Sequence, residues 1–349
     1  MSVRKLSAAD ERALTLVQTS AAILGRDDLV AVVVTGRDRA KFLHNMLTQE
    51  VKALPLGAVR MTCLCDAQGK MLAIAQIVAE AERFVLWTDR AQAATLHEFL
   101  DKYVIADDVE LALDEDLALL TLTGPLCEEL AQQIGILATA DAVATEVGGA
   151  MALVWCQEAF ARQERFFERA ISEIVIQIQR DQTAKVVAHL QSSGAKIGCH
   201  AATDAVRILA GRPLLGIDVD DASLPQEVGL KHSISYRKGC YLGQEAIAMM
   251  TYRGQMRRHL CWVERVGEIS PQTGWTLRTL AGRRGGRVGS AFERQDGSWL
   301  GLAMVQRAAF AKDAELIAES GEGAQARVRI VAATAAEAFI AAESPGAPP

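Results

Sequence analysis

The order of strand-like and helix-like segments limits the fold of this chain more than any other feature of its sequence. Up to about residue 254, β-branched apolar runs typical of buried strands are interspersed with segments whose apolar residues recur at helical spacing. They lack the regular alternation of a doubly wound parallel sheet, which favours an α+β fold. Beyond residue 254, short strand-like runs separated by turn residues are typical of a small β-barrel or sandwich.

Several segments carry these expectations. The clearest buried strand is predicted at Leu29–Thr35, and a hairpin is predicted where 59–65 and 71–78 flank a turn at 66–69. Further strands are predicted at residues 83–88, 117–123 and 174–178, and helices at residues 40–47, 92–100, 182–190 and 245–252.

Composition excludes several classes of protein. A chain of 349 residues exceeds the usual size of a single core, so two or three packed units are expected. The formal charge of −6 argues against a wholly basic nucleic-acid coat. No apolar run approaches the roughly 20 residues of a membrane span, and the N-terminal residues lack the apolar centre of a secretory signal. We therefore expect a cytoplasmic protein that does not enter membranes.

The cysteines and histidines do not predict a metal site. The chain has seven cysteines, an odd number with no C-x₂-C pair, which indicates reduced thiols. Cys63 and Cys65 could in principle join Cys199 around a metal. Structural zinc sites usually have paired C-x₂₋₄-C segments, which are missing here, so we interpret these cysteines as small apolar residues that pack. The histidines, His44 among them, are isolated in sequence and are expected at surface or capping positions.

Residues 238–245, with the sequence KGCYLGQE, carry the clearest chemical signal. Two glycines within five residues allow a close backbone approach or a positive φ. Cys240 precedes a predicted helix N-terminus and follows Lys238, and both the helix dipole and the cation favour a thiolate. These residues predict that Cys240 is the most reactive cysteine, with Lys238 as its electrostatic partner. The alternative is a glycine-containing loop whose cysteine only packs.

The same eight residues resemble the signature K-G-C-Y-x-G-Q-E of the YgfZ family of folate-binding proteins. That family is related to the T-protein, the aminomethyltransferase of the glycine cleavage system. Other segments resemble the family in the same order along the chain, namely residues 36–51, 65–71, 215–227 and 289–305. The similarity therefore spans about residues 29–310.

The resemblance implies a three-lobed, aminomethyltransferase-like α+β fold with a C-terminal β-barrel and a central site for tetrahydrofolate or a derivative. The implied division is a first lobe at 1–113, a second lobe at 114–254 that ends in the signature, a barrel at 255–340 and a tail at 341–349. The implied role is that of a cytoplasmic accessory protein for the assembly or repair of iron–sulfur enzymes, including those that thiolate tRNA. Its partners would be those enzymes or cluster-assembly proteins.

The resemblance also gives candidate site residues. Cys240 and Lys238 would act in catalysis. The candidate folate-binding residues are Asp204, Arg207, Tyr236, Gly239, Tyr241, Gly243, Gln244, Glu245, Arg283 and Arg284. The last two belong to a group of arginines around residue 254 that could receive the glutamate tail of folate or an RNA backbone, or simply form a solvated face; we favour the glutamate tail over RNA. Direct nucleic-acid binding is not expected, because aromatic residues make up only 5% of the chain.

Two positions depart from the family pattern. The aminomethyltransferases carry a catalytic Asp on the strand after the hairpin turn, whereas residues 71–75 here have no carboxylate. Ordinary glycine-cleavage chemistry is therefore not expected. Related proteins commonly have Glu where this chain has Leu209, and a Leu cannot pair with the N–H donors of a pterin. Folate binding is expected to be weakened or altered, unless another carboxylate such as Asp204 substitutes.

Three functions stay open at this point. The first is the folate-binding accessory protein for iron–sulfur enzymes. The second is a folate-dependent aminomethyltransferase or another one-carbon transferase. The third is a non-catalytic scaffold that has lost folate binding. Whether the chain is an enzyme is left open with them.

Overall fold

Three β-sheets organise the part of the chain that the computed structural model describes, which comprises residues 3–160, 171–253 and 256–334. The strands are β1 (Arg4–Lys5), β2 (Ala22–Gly25), β3 (Leu29–Thr35), β4 (Val59–Cys65), β5 (Met71–Ala79), β6 (Phe84–Asp89), β7 (Glu110–Asp114), β8 (Leu117–Gly124), β9 (Val143–Val147), β10 (Ala150–Phe160), β11 (Ile171–Gln179), β12 (Lys196–Ile197), β13 (Arg258–Val266), β14 (Thr276–Thr279), β15 (Arg284–Glu293), β16 (Trp299–Gln306), β17 (Glu315–Glu319) and β18 (Gln325–Ala333). The helices are α1 (Ala8–Thr19), α2 (Arg39–Met46), α3 (Arg90–Asp101), α4 (Cys127–Gln133), α5 (Thr183–Ser192), α6 (His200–Leu209) and α7 (Gln244–Arg253).

The first sheet has the strand order β4-β5-β6-β3-β7, and its neighbouring strands are antiparallel. Strand β3 is the predicted buried strand, and both of its faces are covered. Val32 and Val34 pack with residues of α2 and α3, whereas Ala31 and Val33 pack toward the second sheet. Because successive side chains of a strand point to opposite faces, a strand covered on both sides has a continuous apolar sequence.

The second sheet has the strand order β12-β2-β8-β11-β10-β9 and packs face to face on the first. Leu119 of β8 and Trp155 of β10 share an apolar cluster with Trp87 of β6. The Trp87 Nε1–H donates to Oε1 of Gln177 on β11 at 2.9 Å, so the polar edge of the indole is satisfied across the interface. Helices α4 and α5 cover the other face.

The third sheet is a closed barrel. Strands β15, β14, β17, β18, β13 and β16 are hydrogen-bonded in that order, and pairing of β15 with β16 closes the ring. All six pairings are antiparallel. Apolar side chains such as Val263, Val288 and Val328 fill one core within it. The α+β class and the C-terminal β-barrel predicted from the sequence are therefore confirmed.

A central apolar cluster joins the three sheets. It includes Cys65 of β4, Tyr241 of the signature and Trp262 of the barrel, together with residues of helices α1 and α6. The patterns considered above do not predict α1, α6 or strand β17. Helix α1 had a recognisable start, because Ser7 and Asp10 form a capping box.

The N-terminal segment crosses between the sheets. Strand β2 pairs with β8 of the second sheet, and β1 pairs in parallel with β15 of the barrel. The lobe boundaries at 113/114 and 254/255 stay a prediction. The predicted tail at 341–349 lies outside the described residues. Among the described helices, none has the length and apolarity to cross a membrane.

The interface between the first two sheets generates a stability prediction. Trp155 is fully buried there, so we expect Trp155→Ala to lower the free energy of unfolding by about 4 kcal/mol through lost contacts and a cavity. Met151 on the same strand is 68% exposed, and Met151→Ala should change the free energy by less than about 0.5 kcal/mol. Denaturant titration measures both. Equal effects of the two substitutions would contradict this account of the interface.

Candidate functional site

The ammonium group of Lys238 connects the signature to the end of helix α2. It is buried and donates to the backbone oxygens of His44, Leu47 (2.7 Å) and Gln49 (2.8 Å). Carbonyls in the last turn of a helix have no partner within the helix, so a cation there satisfies them and is favoured by the helix dipole. Burial lowers the pKa of Lys238 to about 7.

All three N–H bonds of Lys238 are therefore used on carbonyl oxygens. The expectation that Lys238 is also the electrostatic partner of Cys240 stays a prediction. Its ammonium nitrogen also lies 4.8 Å from the centroid of the Tyr241 ring, a cation–π contact within the signature itself. Lys238 holds the signature against the first sheet.

The second glycine of the signature is required by a close backbone approach. Gly243 has φ +81°, and a Cβ there would lie 2.4 Å from the carbonyl oxygen of Asp66 and 2.9 Å from Cα of Gly69. The signature turn thus lies directly on the β4–β5 hairpin turn. The N–H of Leu242 adds a hydrogen bond of 3.1 Å to the carbonyl of Asn45 in α2. The signature turn and the β4–β5 turn therefore form one surface.

Cys240 is exposed at this surface, whereas the other six cysteines, all within the described ranges, are buried or partly buried. Cys63 and Cys65 lie in the central cluster, and burial raises the pKa of Cys63 to about 12. They pack as small apolar residues. In the described part of the chain, no group of three or more His, Cys, Asp or Glu residues could hold a metal ion.

Arg207 and Asp204 form an ion-pair cluster that joins α6 to the barrel. The guanidinium group of Arg207 pairs with Asp204 at 2.8 Å and with Asp218 at 2.8 Å, and it donates to the carbonyl of Arg212 at 2.7 Å. The buried Asp218 also accepts from the backbone N–H of Ser290 on β15 at 2.6 Å. The charges of Arg207 and Asp204 are used within this cluster, and their binding of folate stays a prediction.

Leu209 lies two residues beyond Arg207 on α6 and is 2% exposed in the central cluster. Hydrocarbon therefore occupies the position at which related proteins commonly carry Glu, and the predicted substitute, Asp204, is neutralised by Arg207. A pterin needs an acceptor for its N–H and amino donors. The residues predicted to recognise a pterin thus do not fit that group.

The remaining predicted site residues fall into four places. Tyr236 is half exposed, and burial raises the pKa of its hydroxyl, which lies near Thr251 and Gln226. Gln244 and Glu245 form the first turn of α7, and Glu245 is exposed. Gly239 and Tyr241 flank Cys240. Arg283 and Arg284 are exposed where the β14–β15 turn enters β15, and their binding of a glutamate tail stays a prediction.

The structure adds two residues that the sequence did not reveal as functional. His44 was expected at a surface or capping position, but it is buried, and its Nδ1 lies 2.8 Å from Oε1 of Glu50. Burial and the nearby Lys238 ammonium lower the pKa of His44. Although burial alone would raise the pKa of Glu50, that pKa is lowered because the carboxylate accepts from the Ala53 N–H and lies beside His44. The sequence did contain a signal for them, because both residues fall within the segment 36–51 that resembles the YgfZ family.

Comparison with known proteins agrees with this arrangement. The family model described as the GCVT N-terminal domain matches residues 4–238. The chain belongs to the GCVT N-terminal domain family. It is 28% identical over 291 residues to tRNA-modifying protein YgfZ of Yersinia enterocolitica, with 82% of this chain and 84% of that protein covered. It is 29% identical over 302 residues to the YgfZ of Pectobacterium carotovorum, with coverages of 84% and 86%.

A solved structure shares the fold of this GCVT-domain protein. The glycine cleavage system aminomethyltransferase T from Bartonella henselae superposes with a TM-score of 0.78 at 17% identity and covers 96% of this chain and 91% of its own. The resemblance to the YgfZ family and the aminomethyltransferase-like fold, both expected from the sequence, are confirmed.

The ion-pair cluster around Asp218 generates a prediction for this GCVT-domain protein. Asp218 accepts from three donors, and an amide offers only one acceptor oxygen and would turn N–H groups toward the others. We expect Asp218→Asn to lower the free energy of unfolding by about 3 kcal/mol, because it leaves buried donors and the Arg207 charge poorly paired. Asp221→Asn, at an exposed position nearby, is the control. Similar denaturation midpoints for the two variants would contradict the structural role.

Proposed function

We propose that this protein is a cytoplasmic accessory protein that supports the assembly or repair of iron–sulfur enzymes, including those that thiolate tRNA, through the thiol of Cys240. The observation that carries the proposal is the exposure of this one cysteine among seven, on a turn held by Lys238 and Gly243. The thiolate is the reactive form of cysteine, and an exposed cysteine is accessible to a reaction partner. The names of the YgfZ relatives support a connection with tRNA modification.

The site does not favour an aminomethyltransferase. Strand β5 follows the hairpin turn, and its first residues present side chains without acid–base groups, with Met71 and Ala73 fully buried. Moving a proton during aminomethyl transfer needs a positioned acid or base. This strand offers none, so glycine-cleavage chemistry is not part of the proposal.

The proposal also concerns the binding of folate, as tetrahydrofolate or a derivative. Leu209 is buried in hydrocarbon and Asp204 is paired with Arg207, so the recognition of a pterin by a carboxylate at these positions is lost. We therefore infer that any folate binds more weakly than a carboxylate-containing site would allow. No step proposed here involves folate.

Cys240→Ala tests the role of the thiol. In cells that lack their own YgfZ protein, we expect the variant to fold normally and to fail to restore the activity of an iron–sulfur enzyme that thiolates tRNA, measured as the amount of thiolated nucleoside. Cys199→Ala is a matched control at a partly buried cysteine and should restore the activity fully. Full restoration by Cys240→Ala would remove the thiol from the mechanism.

Calorimetry tests the folate inference. With about 0.1 mM protein and a tenfold excess of 5-formyl-tetrahydrofolate, we expect weak binding, with a dissociation constant no tighter than about 100 µM. The physical reason is the missing acceptor at Leu209. Saturable binding at micromolar concentration would contradict it and would require another group to receive the pterin donors. Turnover of an aminomethyl carrier with tetrahydrofolate would instead revive the transferase alternative.

A further inference from the structure

We propose that His44, oriented by Glu50, accepts the proton of Cys240 and so generates its thiolate. The inference rests on the proposed function only in taking Cys240 as the working thiol. Three observations carry it: the burial and orientation of the imidazole, the open path from its free nitrogen to the signature, and the contacts that hold the two segments together.

The imidazole of His44 is fixed by its surroundings. It lies in the last turn of α2 with 8% of its side chain exposed, and its Nδ1 is 2.8 Å from the Oε1 atom of Glu50. A carboxylate oxygen only accepts, so the contact favours the tautomer with its hydrogen on Nδ1. The lone pair is then on Nε2. A base that is itself oriented by a third group is the usual arrangement around an activated nucleophile.

The Nε2 atom of His44 faces the signature. A Cβ placed on Gly239 would lie 3.7 Å from it, and Cys240 is the next residue. Gly239 has no side chain, so the space between imidazole and thiol stays open. Nε2 makes no hydrogen bond to the residues that the structure describes. A buried imidazole thus directs a free acceptor toward the residue that precedes the exposed cysteine.

The contacts of the signature keep the two groups together. The ammonium of Lys238 binds the carbonyl of His44 itself, and the Leu242 N–H binds the carbonyl of Asn45. The residues on either side of Cys240 are therefore attached to the turn of helix that carries the imidazole. The geometry of the pair does not depend on a mobile loop.

The charges around His44 favour its neutral form. Burial lowers its pKa first, the ammonium groups of Lys238 and Lys52 lower it further, and Glu50 opposes them. A neutral imidazole can accept a proton near neutral pH. In the transfer, the S–H bond of Cys240 breaks, its electron pair stays on sulfur, and the proton forms an N–H bond at Nε2. The imidazolium then lies between the thiolate and the Glu50 carboxylate.

The test measures how fast iodoacetamide alkylates Cys240 in the full-length protein between about pH 5 and pH 10, with the Cys240 peptide quantified by mass spectrometry. The thiolate sulfur bonds to the methylene carbon and iodide leaves, so the rate follows the thiolate fraction. We expect His44→Gln to slow alkylation at pH 7 about tenfold and to raise the midpoint of the pH profile by about one unit. Glu50→Gln should raise that midpoint by a smaller amount. His97→Gln, on α3 with its ring near the Leu111 carbonyl, should leave it unchanged.

An unchanged pH profile in folded His44→Gln would overturn the inference. If His44→Gln does not fold, Glu50→Gln is used in its place, and an unchanged pH profile of alkylation in Glu50→Gln would also overturn the inference. Titration of the His44 ring by NMR gives a second readout: the inference expects its midpoint to shift in Cys240→Ala, and an unshifted midpoint contradicts it.

Alkylation involves no iron–sulfur enzyme, so the two proposals can fail separately. If Cys240→Ala is inactive and His44→Gln leaves the alkylation profile unaltered, only this inference is overturned. A shifted profile with a fully active Cys240→Ala overturns the proposed function instead.

Discussion

The site depends on one interaction, the binding of the Lys238 ammonium to three backbone oxygens at the end of helix α2. A helix end buried without partners is costly, and a lysine that supplies three donors removes that cost while its own charge is stabilised. The contact joins a segment near residue 238 to one near residue 44, which no local pattern brings together. With Gly243 on the β4–β5 turn, it fixes where Cys240 emerges.

The chemistry that we propose is that of a thiol at the surface, not that of an acid within a cavity. The centre of the molecule is apolar, with Leu209 and Tyr241 in one cluster that joins the three sheets. The charged residues of α6 are used in holding the barrel through Asp218. The fold shared with an aminomethyltransferase does not by itself decide the function, because function resides in the site rather than in the architecture.

Much of the fold was predictable because its elements follow simple periodicities. The buried strand at Leu29–Thr35 and the hairpin around residues 66–69 have the expected bounds, since strands covered on both faces and glycine-containing turns leave strong local signals. Helix α6 was missed although the sequence carries a helical pattern, with Asp204 and Arg207 three residues apart on the side opposite its buried residues. The pairing of β2 with the second sheet depends on contacts about 100 residues apart and left no local pattern.

The sequence by itself determined the family, the α+β class and the barrel, and it singled out the segment that carries Cys240, because these depend on local spacing and on a contiguous signature. Only the tertiary structure decided what the charged residues do. Lys238 and Arg207 were expected to act on a thiol and a ligand, and the structure shows that each also satisfies buried groups from distant parts of the chain. His44, an isolated histidine in the sequence, became a candidate base through its approach to Gly239. The reason is physical: the partner of a buried charge is set by packing in three dimensions, which residue types and spacing do not specify.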